Sequence, residues 1–355
     1  MQTLEKVLKG IQPLDQQVLK DAESRVDFLA KPIGSLGKLE KLAIQVAGIT
    51  GSIHNQLDKK CTVVMAADNG VWDEGIAITP QHITAVQTIS MLKGIAGISV
   101  LSKQAGADLR VVDIGIKSDV NYPGLVQRKI RKGTRNLAIE PAMTHDEVVR
   151  AIEVGIHIVK DLVDEGYKIL GTGEMGIGNT TTSAAIVMAL SGCSADLAVG
   201  KGAGLTDEGL INKKSIITKA LNYHSINPSD PIDALAKVGG LDIAGLVGCF
   251  LGAAYYKIPI VIDGVISAAA AYTAFKISPI SKNYMIPSHS SLEPAYERIM
   301  KEMGMEPMLL MDMRLGEGTG CPLAFSIIDS AMAMMDHMGT FKDIELDTDY
   351  LIDIR

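Results

Sequence analysis

Tyr167-Lys168-Ile169-Leu170-Gly171-Thr172-Gly173-Glu174-Met175-Gly176-Ile177-Gly178-Asn179-Thr180-Thr181-Thr182 leads from a short apolar segment through a glycine-rich stretch into an alanine-rich segment of helical period. Strand, tight turn and helix in that succession form the repeating unit of a parallel α/β sheet. The periodicity predicts a strand over 167–170 and a helix over 180–190, with the glycines between them as a loop. Two phosphate-binding templates fit this loop superficially. Gly171, Gly173 and Gly176 satisfy G-x-G-x-x-G, but no second strand ending in an acid follows at the spacing a dinucleotide needs. Gly173, Gly178, Asn179 and Thr180 resemble a nucleoside-triphosphate loop, with Asn where the phosphate-holding Lys should stand. What remains is common to both: backbone N–H groups at a helix start, with Asn and Thr side chains beside them, cradle a phosphate. Glu174 within the loop favours a single monophosphate over a longer anionic chain.

Five further apolar runs read as strands: 62–67, 109–112, 258–262, 284–286 and 308–310. Segments of helical period lie between them, notably 79–104, 144–165, 207–223 and 265–276. Alternation of this kind predicts an α/β fold with a doubly wound, mostly parallel sheet, whose polar strand ends converge on one edge. Residues 1–60 contain no strand pattern and read as three helices, and the Ala- and Met-rich stretch after Cys321 is again helical. The expected organisation is therefore a large α/β domain over 61–320, with a small helical domain formed by the chain ends, 1–60 and 321–355. Residues 238–256 are rich in Gly, Ala and Leu, but Asp242 lies within them and Lys257 and Asp263 follow, so they read as a buried helix running into a strand rather than a membrane span.

Behind the last apolar run comes Met311-Asp312-Met313-Arg314-Leu315-Gly316-Glu317-Gly318-Thr319-Gly320. It sets one carboxylate, Glu317, between two glycines at an expected strand end, free of neighbouring side chains. The motif alone leaves open whether Glu317 solvates a turn or acts on a substrate. A second glycine cluster, Val199-Gly200-Lys201-Gly202-Ala203-Gly204, precedes the segment holding Lys213, and either lysine could face the same phosphate. Val261-Ile262-Asp263-Gly264-Val265 is faintly similar to the acidic site of pyrophosphate-activated ribose transferases. It carries one acid where those enzymes use an adjacent pair for ribose and magnesium.

Composition narrows the function classes. The 355 residues are 47% hydrophobic and carry a formal net charge of -7, which supports a sizeable core and argues against a nucleic-acid partner. The basic group Arg128, Lys129, Arg131, Lys132 and Arg135 has no interleaved aromatics and reads as a solvated face. Four scattered cysteines form no Cys-x-x-Cys pair, as expected of reduced thiols in a cytoplasmic enzyme. Seven histidines show no His-Glu-x-x-His or His-x-His spacing, so no metal site and no cofactor are expected.

Taken together, six ordered motifs resemble the nicotinate-nucleotide–dimethylbenzimidazole phosphoribosyltransferases over nearly the whole chain. They are 31–40 (Lys-Pro-Ile-Gly-Ser-Leu-Gly-Lys-Leu-Glu), 67–75 around Asp68-Asn69-Gly70, 173–181, 237–242 (Lys-Val-Gly-Gly-Leu-Asp), 286–289 (Ile-Pro-Ser-His) and 313–318. The resemblance implies a Rossmann-like sheet domain with a small helical domain, assembled as a homodimer. It also implies transfer of the phosphoribosyl group of nicotinate mononucleotide to a benzimidazole-type base, with neither nucleic acid nor membrane as partner. Glu317 then corresponds to the general base; Gly176, Asn179, Thr180 and Lys213 to the phosphate site; and Thr79 and Gln87 to the base pocket. Glu174, Met175, Asp263 and Leu315 complete the expected substrate contacts, with Met175 and Leu315 as the apolar walls for a flat ring. The chain departs from the family pattern at Asn69 and Thr79, where His and Ser are common. The rival readings are a nicotinamide-dependent dehydrogenase and a non-catalytic nucleotide-binding regulator.

Overall fold

The computed structural model describes residues 2–347 and 352–355. Three helices open the chain: α1 (Gln2–Gly10), α2 (Gln16–Asp27) and α3 (Lys38–Thr50). After them come β1 (Lys60–Ala67), α4 (Ile83–Leu92), α5 (Gly97–Gln104), β2 (Ala107–Gly115), β3 (Val126–Gln127) and α6 (His145–Asp164). The second half runs β4 (Ile169–Met175), α7 (Asn179–Ser191), α8 (Ala195–Ala198), α9 (Asp207–His224), α10 (Pro231–Val238), α11 (Leu241–Tyr256) and β5 (Ile260–Ile262). It ends with α12 (Val265–Ile277), β6 (Met285–Pro287), α13 (Pro294–Met303) and α14 (Gly320–His337).

The six strands form one all-parallel sheet in the order β3-β2-β1-β4-β5-β6. Chain direction across the sheet reverses between β1 and β4, and that switch point opens a crevice at their carboxyl ends. Helices cover both faces, so β1 is buried along its whole length. Val63, Met65 and Ala67 point into the larger core with α6, α7, α11 and α12, while Val64 and Ala66 meet Met91 and Ile98 of the α4–α5 layer. Ile169, Val261 and Ile286 pack instead beneath α2, α3 and α14. The chain ends thus meet over one face, where Lys31 and Glu40 form a buried ion pair of 2.7 Å. α1 goes to the other side, where Leu4, Val7 and Ile11 join the larger core against α6 and α11.

Several sequence expectations are corrected. Residues 308–310 are not a sheet strand: Leu309 makes one isolated bridge to His289, and Leu310 is 86% exposed. The sixth strand is β3, whose two residues are too short to show a period. The stretch 79–104 breaks into α4 and α5 at 93–96. Its core, Ile83–Gln104, is long and apolar enough to span a membrane by composition, yet both helices pack on the sheet. Strand β4 also continues to Met175, five residues past its expected end, so Gly171 and Gly173 belong to the sheet ladder and not to a loop. That removes the dinucleotide template's first two glycines from any phosphate. Four of the five basic residues of 128–135 are met by acids, Lys129 by Asp113 at 3.1 Å, Arg131 by Glu147 at 3.7 Å, Lys132 by Asp119 at 2.7 Å and Arg135 by Glu147 at 2.8 Å, while Arg128 stays in solvent.

Helices α6 and α11 touch backbone to backbone. A Cβ at Gly248 would stand 1.9 Å from the Ile152 carbonyl oxygen, and one at Gly155 would stand 2.0 Å from that of Gly245. Alanine gains about 1 kcal/mol of helix propensity over glycine. Overpacking here costs roughly 1–3 kcal/mol or more, so the clash wins. Gly248→Ala is therefore expected to lower the denaturation midpoint with the fold retained, and a variant as stable as the parent would contradict this packing.

Candidate active site

A cavity of about 230 Å³ lies at the carboxyl ends of β1 and β4, at the switch point of the sheet. Glu174 and Met175, the last residues of β4, form part of its wall, and Gly176, Asn179 and Thr180 continue it into α7. Thr79 and Gln87 close another side. Gln87 is on α4 as expected, whereas Thr79 lies in the irregular segment before that helix. Leu315 and Glu317 come from the turn that precedes α14. Nine of the eleven residues expected at the site thus share one cavity. The N-terminus of α7 has no side-chain cap, and Gly178 before it is left-handed at φ 93°, which leaves the end of the helix dipole for an anion.

Glu317 is 6% exposed, although its chain neighbours at 310–315 lie largely in solvent. Its Oε1 accepts a 2.6 Å hydrogen bond from Gln87 Nε2, and its Oε2 accepts one of 3.2 Å from the backbone N–H of Ile98 in the first turn of α5. The flanking glycines act differently from the sequence expectation. Gly316 and Gly318 hold positive φ angles of 82° and 98°, and the turn lies flat on β4, where a Cβ at Gly173 would come within 2.3 Å of the Glu317 carbonyl oxygen. Their small size brings the turn to the strand rather than opening it to a ligand.

Two expected residues lie behind the cavity wall. Asp263, after β5, is buried and accepts hydrogen bonds from Gly318 N at 3.0 Å and Gly320 N at 2.7 Å, so it anchors the turn and the start of α14. Lys213 of α9 is fully buried; its Nζ donates to Thr180 Oγ1 at 2.8 Å and to the Gly200 carbonyl at 3.2 Å. Burial pushes its ammonium down to about 8, partly offset by the Glu293 carboxylate. Sequence reasoning missed Arg314, an exposed guanidinium at the cavity that forms no ion pair among the described residues. Its place in the Glu317 motif was the available signal. Lys201 also lines the cavity but is paired with Asp207 at 2.7 Å.

A buried polar chain runs beneath these groups. Glu174 Oε1 accepts the Glu317 backbone N–H at 3.3 Å, and its Oε2 accepts from Asn179 Nδ2. The same Nδ2 donates to Asp242 Oδ2 at 3.0 Å. Burial, reinforced by the Asp242 charge, pushes Glu174 up to about 8, and burial pushes Asp242 up to about 6. Because Glu174 ionises near 4.5 when free, the folded chain holds more protons than the unfolded one between pH 4.5 and about 8, and stability falls as pH rises through that window. Glu174→Gln, neutral at every pH, is expected to flatten the fall by on the order of a few kcal/mol, measured by denaturant unfolding at pH 5 and pH 8. An unchanged slope would show that Glu174 is charged throughout.

A family model described as phosphoribosyltransferase matches residues 11–345. The nicotinate-nucleotide–dimethylbenzimidazole phosphoribosyltransferase of Clostridium perfringens strain ATCC 13124 is 51% identical over 352 residues, 99% of this chain and 98% of that protein. Its counterpart in Clostridium tetani is 51% identical over 356 residues, 100% of this chain and 98% of that protein. The crystal structure of CobT from Thermus thermophilus superposes with a TM-score of 0.90 at 35% identity, covering 93% of this chain and 99% of that one. Likeness at this level in sequence and fold, end to end, means that the chain belongs to the nicotinate-nucleotide–dimethylbenzimidazole phosphoribosyltransferase family.

Proposed function

We propose that the protein transfers the 5-phosphoribosyl group of nicotinate mononucleotide to 5,6-dimethylbenzimidazole, giving α-ribazole 5'-phosphate and nicotinate for the lower ligand of cobalamin. The observation that carries this reading is the seat of Glu317. It is a carboxylate sunk at the cavity wall and held from two sides by N–H donors, in a cavity that the uncapped start of α7 also lines. The cavity thus offers a seat for a phosphate and an acceptor for a proton. The phosphate lies against Gly176, Asn179 and Thr180, with Lys213 acting through the Thr180 hydroxyl. The acceptor ring lies between Met175 and Leu315, with Thr79 at its edge and Gln87 holding the base.

The donor's pyridinium is already a cationic leaving group, so its glycosidic bond needs no metal to break. One benzimidazole nitrogen attacks the anomeric carbon from the face opposite nicotinate, and the C–N bond pair returns to the pyridine nitrogen. Configuration inverts, and the other ring nitrogen gives its proton to Glu317. Incubation with both substrates and detection of α-ribazole phosphate tests the reading directly. Glu317→Gln keeps the shape but cannot accept the proton, and turnover is expected to fall by roughly 10²- to 10⁴-fold. Turnover near that of the parent would remove Glu317 from the role.

The same proposal makes the protein a cytoplasmic homodimer. Val86, Ile95 and Val100 of the α4–α5 layer are exposed, and Leu315 sits against the start of α5, within 2.9 Å of where a Cβ at Gly97 would stand. An apolar surface continuous with the cavity rim suits a second copy of this chain. Ile95→Glu together with Val100→Glu is expected to yield monomers in sedimentation, and an unchanged dimer would place the interface elsewhere.

A further inference from the structure

The motif Lys237-Val238-Gly239-Gly240-Leu241-Asp242 contributes nothing to the cavity surface, yet it ends in a fully buried carboxylate. Asp242 stands in the first turn of α11, where the backbone N–H groups of Asp242 and Ile243 face its carboxyl; Oδ2 is bound to Asn179, and Oδ1 has no hydrogen bond of good geometry among the described residues. Both side-chain amide atoms of Asn69 beside it are also unpartnered among the described residues. Gly240 is confined by the same groups: a Cβ there would fall 2.4 Å from Asp242 Oδ1 and 2.8 Å from Asn69 Oδ1. A buried carboxylate with an orphaned oxygen destabilises a core that apolar side chains would fill better. Its one side-chain bond leads to the reaction site.

The path is short. Asn179 has two amide protons and gives one to Asp242 and one to Glu174, and Glu174 in turn holds the backbone N–H of Glu317. We propose that Asp242 is a positioning residue for the transfer: through the Asn179 amide it fixes the Glu174 carboxyl at the wall of the nucleotide cavity and beneath the turn of Glu317. This rests on the transfer reaction proposed above.

The charge of Asp242 matters as well as its bond. Glu174 faces Asp242 from α11, Asp263 from the end of β5 and the turn of Glu317, while Asp68, at the end of β1, lies near Asp242. Of the basic groups on this side, Lys213 lies behind Thr180, Lys201 pairs with Asp207, His289 stands 3.9 Å from Asp263, and Arg314 lies exposed at the cavity rim; no cation is paired with Glu174 among the described residues. Surrounded by acids and buried, Glu174 keeps its proton at neutral pH and presents an uncharged group to the donor phosphate. Removing the Asp242 charge lets Glu174 ionise at lower pH, where it repels that phosphate.

The test measures transfer from nicotinate mononucleotide to dimethylbenzimidazole between about pH 5.5 and 9 for the parent, Asp242→Ala and Asp242→Asn, a range that spans the shifted ionisation of Glu174. The Ala variant loses the bond, and its kcat is expected to fall roughly 10- to 100-fold. Asn can still accept from Asn179, so it should recover most of that kcat near the acid end of the range. The alkaline limb of its kcat/KM for the nucleotide should move down by about one pH unit, since a like charge has gone. Full kcat in a folded Ala variant overturns the proposal, as does an Asn variant impaired like Ala with its pH limb unmoved, the mark of a merely structural role. Should Ala fail to fold, the Asn limb decides alone. A parent inactive with this substrate pair overturns the functional reading and this inference with it; an active parent confines any failure to Asp242.

Discussion

The turn at 316–320 lies directly on strand β4, backbone against backbone, and the geometry of the site depends on that approach. Gly173 is without a side chain where the Glu317 carbonyl passes, and Gly171 is without one where Cys321 begins α14. Asp263 ties the turn down by accepting from Gly318 N and Gly320 N. The same turn starts α14, whose far side packs on α3 in the layer made by the chain ends. Glu317 is thus held by residues drawn from β4, β5, α4 and α5, and its place is supported by both termini of the fold.

Such a site is costly to keep. Glu174, Asp242, Asp263 and Glu317 are all buried around one crevice, and Asp68 lies next to them. Each buried charge loses several kcal/mol of hydration, against a net stability of only about 5–15 kcal/mol for a typical domain. Protonation of Glu174 and backbone donors to Asp263 and Glu317 reduce that cost. The remainder falls on the large apolar core of α6, α7, α11 and α12, where glycine lets α6 and α11 approach to backbone contact.

For the proposed phosphate to bind in so acidic a crevice, the charges have to be divided in space. The uncapped start of α7 supplies the positive end, and Lys213 stiffens it from behind through Thr180 instead of reaching into the cavity. Of the two carboxyls bound by Asn179, Asp242 lies behind the cavity wall, and Glu174, in that wall, is kept neutral by burial and the nearby Asp242 charge. The helix dipole can then act on an anion although the surroundings are rich in acids.

Alternating apolar runs and helical segments determined the parallel α/β class, because strand and helix periods are local properties of the chain. They located β1, β2, β5 and β6 and the start of β4. The cluster of Gly, Asn and Thr after β4 marked the cavity wall over 174–180, because tight turns at strand ends demand those residues, while Thr79 and Gln87 came from the family resemblance. Local pattern could not reveal that β4 runs through Gly171 and Gly173, since those glycines answer to a turn far later in the chain, at Glu317 and Cys321. It also gave 308–310 as a strand, because an apolar run carries no mark of the surface it will face; here Met308 packs on the core of the chain ends while Leu310 faces solvent. Only the tertiary structure set Lys213 and Asp263 behind the cavity, bound Gln87 to Glu317, and linked Asp242 to the site through Asn179. Each of these is a hydrogen bond between groups distant in sequence, whose geometry exists only once the sheet has brought its strand ends together.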